Sequence, residues 1–227
     1  MVEETNGCLG VQERSRRFPA VVKARGSADF TGALIGPKVL LTAAHTVDED
    51  DDPLLISHQQ SQVACCELHP HYSSDGNDLL GNSADLALCR LTEAASIGGD
   101  GRYEAVNLDR GFESDTESLL VTGFGPRSEN GPASTDLCIK GGDSGGPAFS
   151  EGGIGRSRLI IGVNSEGPPE GNCGEPSKLT STSSPAIAEW IRAWAEGVAE
   201  GQRCGAGEPV AICGVNAGDD TLCRTLS

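Results

Sequence analysis

Ser144 is the residue of this chain best suited to nucleophilic chemistry. It lies in the segment 141–147 (GGDSGGP), whose glycines and proline predict a tight turn that exposes one hydroxyl. Several backbone N–H groups of such a turn can point into one concavity and stabilise a developing negative charge. The turn therefore suits a nucleophile beside an oxyanion site, although the string GDSG alone also occurs in ordinary surface turns.

A histidine and an aspartate upstream could activate that hydroxyl. His45 ends the apolar segment 40–45 (LLTAAH), and Asp85 directly precedes the apolar segment 86–89 (LALC). A histidine that titrates near neutrality can accept the serine proton and return it to a leaving group. A semi-buried carboxylate can fix the histidine tautomer and stabilise the imidazolium. Each residue alone has a structural explanation, but the three together, in this order and with these flanks, favour a Ser-His-Asp triad.

Short apolar segments separated by turns must position these residues. The frequent Gly and Pro and the scarce aromatic residues favour short strands over long helices. Strands are predicted at 20–22, 33–35, 39–42, 86–89, 119–122 and 159–163. A helix is predicted at 185–198, where a proline lies near the start and one apolar face is formed by Ile187, Trp190, Ile191, Trp194 and Val198.

The composition restricts the class of protein and its partners. The net charge of −16 argues against nucleic-acid binding, which requires Lys and Arg to neutralise phosphates. No apolar segment approaches the ~20 residues of a membrane span. Neither a cofactor nor a metal site is expected, because the acidic segment 48–52 (DEDDD) lacks the alternating ligands and central Gly of an EF-hand loop.

The nine cysteines bear on the cellular compartment. They show no Cys-x-x-Cys spacing, so they favour disulfides and an oxidising, extracellular location over a zinc or redox site. The first residues, MVEET, show neither the basic nor the apolar region of a signal peptide. Secretion is therefore an expectation from cysteine usage rather than from a targeting signal.

Several motifs resemble those of the chymotrypsin/trypsin-like serine endopeptidases. The resemblance covers residues 18–194 and is most specific around His45 and Ser144, with further matching segments at 69–72 (HPHY), 122–125 (TGFG) and 161–167 (IGVNSEG). It implies an all-β fold of two antiparallel β-barrels with a C-terminal helix, whereas the short spacing between Gly125 and Cys138 indicates that the second barrel is shortened. It also implies hydrolysis of peptide bonds through an acyl-enzyme intermediate, with polypeptide substrates and protein inhibitors as partners.

The resemblance assigns a role to each matching residue. Ser144 is the nucleophile, His45 the general base and Asp85 the orienting carboxylate, while the N–H groups of Gly142 and Ser144 form the oxyanion hole. The segment 161–167 is similar to an edge strand that pairs with the substrate backbone. Substrate-binding positions and a disulfide framing the specificity pocket then fall on Asp136, Ser165, Gly167 and Ser177, and on Cys138 with Cys173.

The expected organisation divides the chain into five parts. Residues 1–17 form an N-terminal segment, 18–115 the first β-barrel with the triad His and Asp, and 116–184 a shortened second β-barrel with the triad Ser and the pocket. Residues 185–198 form the C-terminal helix, and 199–227 a cysteine-containing tail.

Four departures from the family pattern leave alternatives open. Phe30 and Thr46 stand where a disulfide usually ties the histidine loop, and no apolar Ile/Val N-terminus is found to pair with Asp143. Asp136 favours Lys or Arg substrates, but two extra residues before Gly142 leave the preference open. Only twelve residues separate Gly125 from Cys138. The second barrel is therefore incomplete, or the tail at 209–212 substitutes for its missing strands, or the gene model is faulty.

The shortened second half and the missing activation terminus also keep other functions open. One alternative is a catalytically impaired protease homologue that acts as a binding module. Another is ester hydrolysis or acyl transfer by the same triad, although the chain lacks the Gly-x-Ser-x-Gly elbow of the α/β-hydrolases.

Overall fold

A computed structural model describes most of the two sheets and the C-terminal region of the chain. The described residues are 18–25, 29–47, 55–56, 61–73, 84–97, 101–109, 118–124, 143–151, 158–166, 178–217 and 222–223. Within these ranges, no helix is long and apolar enough to span a membrane.

The first sheet is a closed antiparallel barrel. Its strands are β1 (Val21–Arg25), β2 (Asp29–Gly36), β3 (Val39–Thr42), β4 (Leu55–Ile56), β5 (Ser61–Leu68) and β6 (Ala87–Leu91). They pair in the order β1-β2-β3-β6-β5-β4, and β4 closes the barrel on β1. All four residues of β3 are buried, because β3 lies between β2 and β6 and its side chains pack on both faces of the sheet.

The second sheet is open in the described part of the chain. It contains β7 (Ser118–Val121), β8 (Pro147–Glu151), β9 (Leu159–Glu166) and β10 (Lys178–Ser181), in the order β10-β9-β8-β7. All its pairings are antiparallel. Two antiparallel sheets, one of them half a barrel, confirm the predicted fold class with its shortened second barrel.

Helix α1 (Pro185–Ala195) follows the second sheet and packs into a core shared with the first barrel. Pro185 occupies the first turn, where its missing N–H costs nothing. The helix ends at Ala195, three residues before the predicted end, and Gly197 takes a positive φ of 76° just beyond it. Val198 is consequently 66% exposed, so its predicted place on the buried face is wrong.

The tail after α1 returns to the first barrel. The Cys213 N–H donates to the Ile35 carbonyl of β2 at 2.8 Å, and Gly36 lies so close to Ala211 that a Cβ would stand 2.0 Å from its carbonyl oxygen. A disulfide joins Cys65 of β5 to Cys204. The alternative in which the tail at 209–212 substitutes for strands of the second barrel therefore gains no support, because these contacts attach the tail to the first barrel.

Three disulfides lie in the described residues: Cys65–Cys204, Cys66–Cys89 and Cys213–Cys223. They confirm that the cysteines are used for cross-links. The Glu67 carboxylate reinforces the first of them, because it accepts the backbone N–H groups of Arg203 and Cys204 at 2.9 and 2.8 Å. The predicted Cys138–Cys173 pair lies outside the described residues.

Candidate active site

The register of the first barrel brings His45 and Asp85 together. Thr42, the last residue of β3, pairs with Ala87, the first residue of β6. Because the strands are antiparallel, the residues that follow Thr42 and those that precede Ala87 lie at the same end of the barrel. His45 sits there on a short 3₁₀ helix (Ala44–Thr46), and Asp85 lies two residues before β6.

The histidine loop has no cysteines at Phe30 and Thr46, the two positions where the resemblance leads one to expect a disulfide. The Thr46 hydroxyl donates to the Ala43 carbonyl at 2.7 Å and lies 3.2 Å from the Thr42 hydroxyl. Phe30, the other position, is 3% exposed and packs in the core of the barrel. The loop that carries His45 is thus closed by local hydrogen bonds at one position and by apolar packing at the other.

Asp85 holds His45 through two hydrogen bonds. The His45 Nδ1 lies 2.7 Å from Asp85 Oδ2, and the His45 backbone N–H donates to Oδ1 at 2.9 Å. The Asp85 side chain is 5% exposed, whereas the His45 ring is 37% exposed. The carboxylate therefore fixes a ring whose opposite edge remains accessible, which is the arrangement required of a general base and its orienting acid.

Ser165 of β9 adds a third hydrogen bond to the same carboxylate. Its hydroxyl donates to Asp85 Oδ2 at 2.5 Å. Burial raises the pKa of Asp85, but the hydrogen bonds and charge of His45, together with the Ser165 hydroxyl, outweigh it and bring the pKa below its ordinary value. Asp85 is consequently ionised at neutral pH despite its burial.

Replacement of Asp85 by asparagine should make the free energy of unfolding less dependent on pH in the acid range. Because the pKa of Asp85 is lower in the folded than in the unfolded chain, its charge stabilises the fold fully above the unfolded value of about 3.9. That contribution is lost as the pH falls through the folded pKa. Urea unfolding over a pH series should show wild type more stable than Asp85→Asn near neutrality, with the gap closing in acid. A gap that is constant with pH would contradict this.

Ser144 lies at the seam between the two sheets. Its carbonyl accepts the Thr31 N–H of β2 at 3.0 Å. The next residue, Gly145, has a φ of 80°, and a Cβ there would stand 2.0 Å from the Thr42 hydroxyl oxygen. Only glycine fits this position, so the glycine after Ser144 allows the loop to lie directly against the strand that leads to His45.

The same loop is hydrogen-bonded to β9. The Gly145 N–H donates to the Asn164 carbonyl, and the Asn164 N–H donates to the Gly146 carbonyl, both at 2.8 Å. The loop that carries Ser144 therefore lies against β2, β3 and β9, and Ser165 of β9 shares the Asp85 carboxylate with His45. Among the described residues, no hydrogen bond joins the Ser144 hydroxyl to the His45 ring.

Asp143, the residue before Ser144, lies against another backbone segment. A Cβ on Gly123 would stand 2.2 Å from Asp143 Oδ1, and Asp143 is half-buried. The turn at 122–124 thus packs on the loop of the proposed nucleophile. Phe124, in the same turn, donates its N–H to the Thr31 hydroxyl at 2.9 Å.

The predicted edge-strand role of 161–167 needs correction. β9 lies between β8 and β10: it pairs with β8 from Leu159 to Val163 and with β10 from Gly162 to Glu166. Beyond the residues that pair with β8, Asn164 bonds to Gly145 and Gly146, and Ser165 and Glu166 extend past it. Any substrate backbone that adds to β9 must therefore do so at this end.

Several predicted site residues fall outside the described part of the chain: Gly142, Asp136, Gly167, Ser177, Cys138 and Cys173.

Conversely, sequence reasoning missed the hydrogen bond from Ser165 to Asp85. Eighty positions separate the two residues, and no local pattern indicates that one serine hydroxyl will face a carboxylate. No cluster of three or more His, Cys, Asp or Glu suited to a metal occurs in the described ranges.

Comparisons with known proteins identify the family and the fold of the chain. A family profile described as Trypsin matches residues 8–137, more than half of the 227 residues, including His45 and Asp85. The chain belongs to the trypsin family. A search of the curated proteins found no match.

Among solved structures, the chain is similar to neuropsin, described as a serine protease expressed in the limbic system of mouse brain. The identity is 19%, the match covers 82% of this chain and 96% of neuropsin, and the TM-score is 0.58. At this identity the likeness concerns the fold. Together, the profile and the fold place the chain among the trypsin-like serine proteases, a family of hydrolases that act on polypeptides.

Proposed function

We propose that this trypsin-family chain is an active serine endopeptidase whose triad is Ser144, His45 and Asp85. The observation that carries the proposal is the 2.7 Å hydrogen bond between a nearly buried, ionised Asp85 and a partly exposed His45. The loop of Ser144 lies against the strand leading to His45. The alternative of a catalytically impaired homologue gains no support, since all three side chains are retained.

In the proposed reaction, the Ser144 hydroxyl attacks the substrate carbonyl and gives its proton to His45 Nε2. Because His45 Nδ1 is bonded to Asp85, Nε2 is the nitrogen free to accept that proton. The C–N bond then breaks, His45 protonates the departing amine, and an acyl-enzyme remains on Ser144. Water, deprotonated by His45, hydrolyses this ester and releases the acid and the free serine.

The oxyanion that forms on the carbonyl oxygen would be stabilised by the N–H groups of Gly142 and Ser144. Hydrogen bonds of catalytic groups often tighten only when substrate is bound, which is consistent with the absence of a Ser144–His45 bond among the described residues. The roles of Asp136, Gly167 and Ser177 in substrate binding stay predictions.

We further propose that the protein works outside the cell. Three disulfides in the described residues suit an oxidising compartment, and the trypsin family is a family of proteases that act on polypeptides. Polypeptide substrates and protein inhibitors are the partners that this proposal implies.

The proposed function can be tested with the purified, disulfide-intact chain. It should cleave peptides from an unbiased library, and product masses in H₂¹⁸O should show at least one heavy oxygen in each new carboxyl group. Comparison of matched ester and amide substrates would reveal an enzyme restricted to esters. No cleavage of any peptide by correctly folded protein would contradict the proposal.

A further inference from the structure

Thr31 of β2 is bonded to two backbone segments that meet at the proposed nucleophile. Its N–H donates to the Ser144 carbonyl at 3.0 Å, and its hydroxyl oxygen accepts the Phe124 N–H at 2.9 Å. The first bond holds the loop at 143–146, which we call the Ser144 loop, and the second holds the turn at 122–124. One residue therefore connects the loop of the nucleophile with the turn that packs on it.

Thr31 is itself fixed by the first barrel. It pairs with Lys23 of β1, and its carbonyl accepts the Thr42 hydroxyl of β3 at 2.9 Å. It is 0% exposed, so its hydrogen bonds lie in a low-dielectric interior, where they are stronger than in water. A residue held in this way by regular strands can fix the position of a loop more precisely than another loop could.

The turn at 122–124 lies directly against the Ser144 loop at two points. A Cβ on Gly123 would stand 2.2 Å from Asp143 Oδ1 and 2.8 Å from its Cα. A Cβ on Gly146 would stand 2.1 Å from the carbonyl oxygen of Thr122. Backbones packed this closely cannot shift independently, because the atoms of one already fill the space beside the other. The position of the turn therefore determines the position of Asp143.

The peptide plane between Asp143 and Ser144 carries one of the two proposed oxyanion donors. The Ser144 N–H belongs to this planar group, so its direction depends on where Asp143 is held. Such a donor must lie about 2.7–3.1 Å from the developing charge, and a misplacement on the order of 1 Å can lower a rate about a hundredfold. A bond that fixes the turn can thus act on the reaction through the loop.

The side chain at position 31 is what makes this arrangement depend on a threonine. The backbone groups of this position would be supplied by almost any residue, whereas the acceptor for the Phe124 N–H is the hydroxyl oxygen. We propose that the Thr31 hydroxyl is a positioning group that holds the Ser144 loop in its reactive geometry. The inference rests on the proposed function, to which it adds a residue that acts through the loop rather than on the substrate.

Thr31→Val is the decisive variant, because valine is β-branched like threonine but cannot accept the Phe124 N–H. With a peptide that the wild type cleaves, we expect kcat to fall about tenfold and KM to stay within about twofold of wild type. The loss falls on kcat because an oxyanion donor acts on the transition state more than on the bound substrate. Thr31→Ser restores the acceptor and should bring kcat back to within about twofold of wild type.

Thr182→Val is the matched control. Thr182 is also 0% exposed, and its hydroxyl donates to the Asn107 carbonyl at 2.8 Å. Its N–H donates to Ile161, which lies three residues, or about 10 Å, along β9 from Asn164, the residue bonded to the Ser144 loop. This variant loses a buried hydrogen bond of the same kind at a distance from the loop. It should melt at a similarly lowered temperature but keep the wild-type kcat and KM.

Amide hydrogen exchange separates this inference from the proposed function. The N–H groups of Gly145 and Gly146 donate to the Asn164 and Asp143 carbonyls, so their exchange reports opening of the Ser144 loop. They should exchange at least about fivefold faster in Thr31→Val, and at the wild-type rate in the serine variant and in the control. If wild type cleaves no peptide but this pattern is found, the proposed function fails and the positioning role stands.

Several results would overturn the inference. They are a folded Thr31→Val protein that keeps the wild-type kcat, a loss that appears in KM instead, and loop amides that exchange as in wild type. Failure of Thr31→Ser to recover kcat, or an equal loss of kcat in Thr182→Val, would overturn it as well. Thr31→Ala removes the same hydroxyl with less bulk and replaces Thr31→Val in each measurement if valine prevents folding.

Discussion

Ser144→Ala is expected to reduce peptide hydrolysis at least about a thousandfold, because the oxyanion hole and substrate binding alone leave only residual catalysis. The effect should fall on kcat, with KM nearly unchanged, because the hydroxyl acts in the bond-making step rather than in holding the substrate. Initial rates with a peptide that the wild type cleaves provide the measurement.

Ser181→Ala supplies the control for this substitution. It removes the same hydroxyl from an exposed position of β10 and should leave kcat unchanged. Since Ser144 packs at the seam between the sheets, the variant should be shown to melt like wild type. A folded Ser144→Ala protein that keeps a tenth of the wild-type rate would contradict its role as nucleophile.

Glu104→Ala is expected to cost about 3–5 kcal/mol of unfolding free energy, because it leaves a partly buried guanidinium without its counter-charge. The Glu104 side chain is 0% exposed and binds Arg158 in a two-pronged pair, with Arg158 Nε 3.1 Å from Oε2. The guanidinium carbon lies over the Phe18 ring, 4.1 Å from the ring centroid. The Phe18 ring in turn stacks on Phe149. The Glu104 N–H also donates to Leu34 of β2.

This pair therefore joins the segment 101–109 to both sheets, and its loss should destabilise the packing between them. Urea unfolding at neutral pH gives the magnitude. The solvent-exposed pair Lys178–Glu166 offers a comparison, since Glu166→Ala should cost no more than about 1 kcal/mol. Equal costs for the two substitutions would show that the junction does not depend on the Glu104–Arg158 pair.

The parts of the fold predicted from sequence are those with local signals. The apolar segments at 33–35, 39–42 and 159–163 lie within β2, β3 and β9, because period and composition specify a buried strand directly. The pairing of His45 with Asp85 followed from their positions at the ends of apolar strands. β5 was missed because its sequence, SQVACCEL, shows no regular alternation of apolar and polar residues and none of its residues is fully buried.

Other features depend on contacts between distant parts of the chain. The return of the tail to β2 is set by the Cys65–Cys204 cross-link, whose partners are 139 residues apart, and the sequence allowed many other cysteine pairings. The bond from Ser165 to Asp85 arises only when β9 meets the first barrel. The interior position of β9 likewise depends on β10, which the pattern did not predict.

The central claim is that His45 and Asp85 activate Ser144, and the most direct test is covalent labelling of that serine. The folded wild-type chain should be treated with a peptidyl phosphonate and the adduct located by tandem mass spectrometry, with the rate of labelling compared in His45→Ala. The claim predicts one adduct, on Ser144, formed at least about a hundredfold more slowly without the histidine base. Labelling elsewhere, or an equal rate in His45→Ala, would contradict it.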